Sequence, residues 1–346
     1  MQKAPTIGEL VLNFRDAPRL TFGAWAEKYL ESQDNRGRRA RFEFRPYQKA
    51  IAQAMFDPKI ASVSIRAFSG AGKTHLFAAG ICYGIDQLAL ETGVMFPSQG
   101  QTERWFTKKL KPFIAATPRF ERLRQTKDNI LLKTWENGAR VEGLGANSEG
   151  TMRTTEVDLT VSDEIDAYQT KATDEGSRLA IFEKRTRGRR VQYHWRSSYP
   201  GLEGFSAIDD SINGSDDQRF FMPCPHCGHE WEWLVEQDIS EAVKTEGTYK
   251  RCGHLLWKAS DLAGAVLECP DCGRLISDDQ RKNAVYLGGY RPTREFKGHR
   301  GFTVGCLANV GPHDVAFSSY LHQIADELER IEKARSPERE RRVFVN

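Results

Sequence analysis

What the chain lacks narrows its reading first. No apolar run among its 346 residues approaches the roughly 18 needed to cross a bilayer, and the N-terminal MQKAPTIGELVLNF has none of the charged-then-apolar layout of a signal peptide. Both absences lead to the expectation of an intracellular protein with no membrane partner. The net charge is only +3, so no global field argues for nucleic acid, and any such partner has to be inferred from local basic runs. Apart from the charged tail ERIEKARSPERERR there is no repeat or low-complexity segment. Seven cysteines are an odd number for an intracellular chain, which argues against a disulfide framework and for metal ligation by a subset.

A further absence is local. RAFSGAGKTHL, residues 66–76, ends like a phosphate-binding loop in Gly72-Lys73-Thr74, yet Ala67 stands where G-x-x-x-x-G-K-[ST] has its first glycine. The surroundings outweigh that gap. IASVSIRAF before the loop reads as a buried strand and HLFAAGICYGIDQLALE after it as a helix with few charges, so loop amides and helix N-terminus together can cradle phosphate oxygens. Gly70 and Gly72 allow the backbone to turn, Lys73 reaches the β- and γ-phosphates of ATP, and Thr74 holds Mg²⁺.

A second motif supports the first. VDLTVSDEIDAY is a buried strand ending in acids, which supplies Asp163 to anchor Mg²⁺ through water and Glu164 to polarise an attacking water. Alone, Asp-Glu after a strand is as well explained by a solvated turn; 90 residues after Lys73, it explains both motifs. RPYQ puts Tyr47 and Gln48 where adenine could be stacked and hydrogen-bonded, or where a tyrosine simply packs at a helix start. RSS places Ser197 and Ser198 at a strand end near the γ-phosphate. Arg66 and Arg153 are candidates for stabilising transition-state charge, Arg153 as an arginine finger.

Strands alternating with helices imply an α/β fold with a mainly parallel sheet and ligands at the carboxyl ends of its strands. The two motifs specify a P-loop NTPase of the additional-strand, catalytic-glutamate type. NILLKTWENGARVEGLGA is expected to form a hairpin about Asn137-Gly138. The expected division is an N-terminal helical segment (1–36), the ATPase core (37–215), a zinc-ribbon β insertion (216–280), and a C-terminal part of the core with a linker (281–346).

CPHCG (224–228) and CPDCG (269–273) form two matching knuckles whose thiolates, Cys224, Cys227, Cys269 and Cys272, complete a tetrahedral Zn²⁺ site. The 41 residues between them exceed the usual zinc-ribbon gap, which predicts an extra hairpin around HEWEWLVEQ. Cys252 and His254 fall in the gap as alternative ligands; Cys82 and Cys306 read as ordinary buried thiols.

Taken in order, RPYQKAIAQAMFDP, GANSEGTMRTTEVDLTVSDEIDAY, SSYPGLEGFSAIDDSINGSDDQRFFMPCPHCG and GYRPTREFKGHRGFTV resemble the large terminase subunit of tailed phages, in the branch similar to the lambda packaging ATPase. The resemblance covers nearly the whole chain. It implies ATP and Mg²⁺ at Lys73 and Thr74, a catalytic acid pair at Asp163 and Glu164, and a coupling motif at Ser197 and Ser198. It also implies a ring of subunits that pushes double-stranded DNA into a procapsid in the host cytoplasm, with the small terminase subunit and the portal as partners. In that family an RNase H-like nuclease domain follows the motor; the chain stops at RRVFVN, so ATPase without nuclease is expected. Candidate DNA contacts are KKLK (108–111) and RTRGRR (185–190). The rival readings are a superfamily 2 helicase or translocase and a non-hydrolysing zinc-ribbon DNA-binding module.

Overall fold

The computed structural model describes residues 20–33, 38–147, 155–168, 177–199, 206–233, 244–246, 248–310 and 320–333. A short antiparallel pair, β1 (Glu31–Gln33) and β2 (Arg39–Arg41), precedes the main sheet. The β-branched run after Ile60 then forms β3 (Ser62–Ala67), and the apolar runs that follow form β4 (Glu91–Phe96), β8 (Leu159–Asp163) and β9 (Tyr193–Ser198). Between β4 and β8 lie β5 (Gln125–Asp128), β6 (Leu132–Trp135) and β7 (Arg140–Gly145). The β6–β7 hairpin turns at Asn137-Gly138 as its sequence predicts.

Later segments complete the sheet: β10 (Gln218–Pro223), β11 (Glu230–Trp231), β17 (Gly289–Pro292) and β18 (His299–Val304). The eleven strands run in the order β11-β10-β18-β3-β9-β8-β4-β7-β6-β5, with β17 on β10. From β10 to β7 every neighbour is parallel. Antiparallel pairing is confined to the margins.

The fold is therefore mixed α/β with a mainly parallel central sheet. Its central strand, β3, lies between β9 and the late strand β18, so residues beyond 215 build the same sheet; the expected division at 215/216 falls just ahead of β10.

One face of the sheet is covered by α1 (Phe22–Tyr29), α2 (Pro46–Met55), α3 (Lys73–Tyr83), α4 (Gln99–Trp105) and α5 (Lys111–Ala116). Helix α3 is buried from Leu76 to Tyr83, and each large apolar side chain there contributes roughly 1.5–3 kcal/mol, which fixes the loop at its N-terminus. A π-turn, Phe106–Leu110, joins α4 to α5. The opposite face carries α6 (Arg178–Glu183) and α7 (Ala207–Asn213), which bury Phe182, Ile208 and Ile212 in a small separate core.

A second, antiparallel sheet takes four strands from the interval between the cysteine pairs and a fifth from just after the second pair: β12 (Lys244–Glu246), β13 (Tyr249–Cys252), β14 (Leu255–Lys258), β15 (Asp261–Glu268) and β16 (Leu275–Ile276). The expected hairpin about HEWEWLVEQ falls in part, from 234 on, outside the described residues; the hairpins described in this interval lie further along the chain. Glu230 and Trp231 pair instead with Met222 and Pro223. Helix α8 (Asp278–Leu287) follows, and α9 (Tyr320–Lys333) packs on β15, where Glu329 accepts from Trp257 Nε1 at 2.9 Å and from Lys250 Nζ at 2.7 Å. No helix among the described residues is long and apolar enough to cross a membrane.

Candidate functional site

Parallel register brings three strand ends together. Ile65 and Arg66 of β3 face Ser197 and Ser198 of β9, and Ser197 faces Asp163 of β8. The glycine loop leaves β3 at Ala67 and enters α3 at Lys73. Gly72 caps that helix with φ of 80°, a backbone that favours glycine, and a Cβ there would lie 2.7 Å from Gln48 Nε2 and displace that amide from the loop.

Asp163 is 1% exposed, and its carboxylate is held from three sides. Thr74 Oγ1 donates to Oδ2 at 2.9 Å, while Ser197 Oγ and the Glu164 amide, the latter at 3.0 Å, donate to Oδ1. Without these bonds, burying the charge would cost several kcal/mol. Lys73 Nζ donates to the carbonyls of Ala67 at 2.8 Å and Phe68 at 3.1 Å, which ties it across the loop. Burial lowers its pKa, opposed by the charges of Asp163 and Glu164.

Glu164 sits in the left-handed region at φ 57°, ψ 43°, a strained conformation for a non-glycine residue, and Gln101 Nε2 donates to its Oε2 at 3.2 Å. Partial burial, and secondarily the charge of Asp163, raise its pKa. The site thus combines a buried hydroxyl–carboxylate pair with the hard oxygen donors Mg²⁺ favours, a lysine, and a second carboxylate that reaches solvent. Thr74 and Asp163 fit a magnesium site by donor chemistry.

The expected adenine contacts are differently placed. Tyr47 is 1% exposed, its ring packs edge-on against Phe68 and Phe220, and its hydroxyl donates to Ala71 O at 3.1 Å. No open face remains for a base to stack on; the tyrosine braces the loop from beneath. Gln48 Nε2 does likewise, donating to Ala71 O at 3.1 Å and Gly72 O at 3.3 Å. Arg66 points to the other face of the sheet, where its guanidinium pairs with Asp209 at 2.7 Å and donates to Thr303 at 3.1 Å, away from the loop's hydrogen bonds. Arg153 lies outside the described residues. Ser198 Oγ donates to Tyr199 O at 3.0 Å and accepts from the Asp166 amide at 3.3 Å.

Two contributors were not singled out by the motifs. Arg45 Nη1 donates to Gly70 O at 2.5 Å and to the Tyr47 hydroxyl at 2.9 Å, and the signal for it was the helix-capping arrangement in RPYQ, where Gln48 Oε1 accepts from the Arg45 amide. Gln101 is positioned by Ser98, which caps α4 directly after β4. Burial holds His75, on the first turn of α3, down to about 4, aided by the charges of Lys109 and Arg45.

The four knuckle sulfurs lie within 4.8 Å of one another, with Cys224–Cys272 at 3.9 Å and Cys227–Cys269 at 3.7 Å. A zinc tetrahedron with Zn–S near 2.3 Å sets sulfurs about 3.8 Å apart, so the donor set fits Zn²⁺. Both knuckles close alike: the Gly228 amide donates to Cys224 O and the Gly273 amide to Cys269 O, each at 3.0 Å, with both glycines at positive φ. Cys252 and His254 lie outside the sulfur cluster. Cys82 is fully buried as expected, whereas Cys306 is only partly covered; the covering of its thiol pushes it up to about 11.

Of the basic runs, Lys108, Lys109 and Lys111 are exposed, as are Arg187 and Arg190. Arg189 is paired with Asp158 at 2.9 Å and Glu91 at 2.7 Å, at the amino end of β4 and opposite the glycine loop.

Comparison with known proteins accords with this geometry. Residues 35–290 match the family "Phage terminase large subunit gpA, ATPase domain". The chain is 27% identical over 249 residues to the terminase large subunit of Enterobacteria phage P21, across 68% of this chain and 39% of that protein. With the terminase large subunit of Escherichia phage lambda it shares 28% over 225 residues, across 63% of this chain and 35% of that protein. The chain thus spans well under half the length of these relatives. Among solved structures, the large terminase ATPase domain of Thermus phage P74-26 aligns with 12% identity and a TM-score of 0.35, across 47% of this chain and 73% of that one. The Phi-28 gp11 DNA packaging motor aligns with 13% identity and a TM-score of 0.30, across 56% of this chain and 57% of that one. With its family match extending over most of its length, the chain belongs to the phage terminase large subunit gpA ATPase-domain family.

Proposed function

We propose that this chain is the P-loop ATPase of a DNA-packaging motor, hydrolysing ATP to translocate double-stranded phage DNA into a procapsid in the host cytoplasm. The observation that carries this reading is the meeting of Lys73, Thr74 and Asp163 at the carboxyl ends of β3 and β8, with β9 between them and Glu164 on the next residue. In this reading the loop amides and Lys73 bind the β- and γ-phosphates. Thr74 and Asp163 would hold Mg²⁺, which would supply charge neutralisation at those phosphates. Glu164 accepts the proton of the attacking water, and the raised pKa of its carboxylate brings it closer to the operating pH. Gln101 orients that carboxylate. Ser197, bonded to the same Asp163 oxygen as the Glu164 amide, registers a change at the metal acid in β9.

The four cysteines form a structural zinc ribbon inserted between β10 and α8, since four thiolates leave no open coordination position. Double-stranded DNA, a small terminase subunit and the portal are the partners, in a homo-oligomeric ring. The exposed lysines of 108–111 and the exposed Arg187 and Arg190 are the DNA contacts, through phosphates and without sequence preference.

The test is ATP hydrolysis by the purified chain with and without long double-stranded DNA, alongside Lys73→Ala and Glu164→Ala. Turnover abolished by both substitutions, and stimulated by DNA in the parent, is expected. Absence of Mg²⁺-dependent ATP binding in the parent would overturn the reading.

A further inference from the structure

The acidic turn contains a third carboxylate that the hydrolysis scheme does not use. Asp166 lies in the 3₁₀ turn Ile165–Ala167, immediately after Glu164. Its amide donates to Ser198 Oγ at 3.3 Å, and its carboxylate accepts from Ser206 Oγ and from the Ile208 amide, each at 2.8 Å. Those last two groups begin helix α7. Adjacent serines of β9 are thus divided: Ser197 serves Asp163, and Ser198 serves Asp166.

The first turn of α7 then leads back to the sheet. The Asp209 amide donates to Ser206 Oγ at 3.2 Å, the Asp209 carboxylate pairs with Arg66 at 2.7 Å, and Arg66 is the register partner of Ser198. β9, the acidic turn, α7 and β3 therefore form a closed polar circuit. An apolar contact runs parallel to it: Ile165 and Tyr168, on either side of Asp166, pack with Ile208 and Ile212 of α7 in the small core that is separate from the main one.

We infer that Asp166 is a positioning residue that makes helix α7 move with the Asp163-Glu164 turn, so that occupancy of the phosphate site is transmitted to α7. The inference rests on the nucleotide reading of that site. It requires an element with two arrangements, and the place for it is Glu164, whose left-handed backbone is strained and lies two residues before Asp166.

The experiment measures amide exchange across α7 in the full chain, with and without a non-hydrolysable ATP analogue and Mg²⁺, together with steady-state turnover. The variants are Asp166→Ala, Asp166→Asn and Ser206→Ala. Nucleotide is expected to change exchange in α7 of the parent. Asp166→Ala should lose that response and lower kcat while leaving KM unchanged. Asp166→Asn should retain part of the response, since its amide oxygen can still accept one of the two bonds. A role in capping alone would speed α7 exchange equally with and without nucleotide and leave the ratio intact; that result overturns the inference, as does parental kcat in Asp166→Ala. If Asp166→Ala fails to fold, a nucleotide response weakened in Asp166→Asn or Ser206→Ala relative to the parent supports the inference, and the full parental response in both overturns it. A parent chain that binds no nucleotide removes the ATPase reading itself, and this inference with it, a result separable from any difference among the variants.

Discussion

The chain holds two sites suited to metal, built on opposite plans. The cysteine site takes four identical ligands from two copies of one local turn, and each knuckle closes within five residues through the same amide-to-carbonyl bond. The phosphate site takes one or two residues from each of α2, β3, α3, β8 and β9, and depends on register across three parallel strands. A closed site of this kind stores its specificity in sequence-local geometry and serves the fold. The open one exists only once the sheet has formed, and its least comfortable residue, Glu164, is the one assigned the chemistry.

The largest effect should therefore come from breaking the closed site. Cys227→Ser, or removal of zinc by a chelator, should abolish bound metal and unfold the β12–β16 sheet, because a structural Zn²⁺ supplies on the order of 10 kcal/mol of apparent binding free energy. Exchange protection should fall across β13–β15 and in α9, which packs on β15 and is tied to β13 and β14 through Glu329, while the α3 amides stay protected. Equal loss of protection in both regions would show that the two sites are not independent, and would end the contrast drawn above.

Next in size, Glu164→Gln should cut turnover by about 10²–10⁴-fold while leaving ATP bound, as expected for loss of a general base. Here the sign of the stability change separates function from fold. Because partial burial and Asp163 raise the Glu164 pKa above 4.5, the folded chain holds that proton to higher pH than the unfolded chain does. Stability from this group is thus greatest below 4.5 and declines as pH rises through the raised value. The glutamine variant loses no proton, so it should melt above the parent at neutral pH, with the gap closing toward acid. A glutamine variant that melts below the parent at neutral pH would mean that the ionised carboxylate stabilises the fold.

How much of this was legible in the sequence follows the same division. The knuckles were, because spacing and a trailing glycine specify a turn that needs no tertiary help. So were the glycine loop, Asp163 and the alternation of strands and helices, since each is a local pattern. The position of β18 beside β3 was not: it joins residues 299–304 to 62–67, and no periodicity encodes which parallel strand a distant segment will choose. Arg45 and Gln101 escaped for the same reason, as their roles lie in bonds to other elements. Arg66 is a case of facing: next to the loop in sequence, it alternates onto the α7 side of β3. Tyr47 was open between two readings, and burial against Phe68 and Phe220 favours packing.

That choice yields the smallest and sharpest prediction. Tyr47→Phe keeps the ring where it packs and removes only the hydroxyl that donates to Ala71 O and accepts from Arg45. Gln48 still donates to Ala71 O, and Arg45 still reaches Gly70 O, so the loop loses one brace of several, and the expected destabilisation is about 1 kcal/mol. A brace acts on the phosphate cradle whatever is attached to the phosphates. Affinities for ATP and for inorganic triphosphate should therefore weaken by the same modest factor in Tyr47→Phe, and again by a common factor in Tyr47→Leu. A ring that stacked adenine would behave otherwise: base–aromatic stacking is worth about 1–3 kcal/mol, so Tyr47→Leu would weaken ATP and leave triphosphate untouched. The ratio of the two affinities, measured by calorimetry across the three proteins, decides between a tyrosine beneath the loop and one beneath the base.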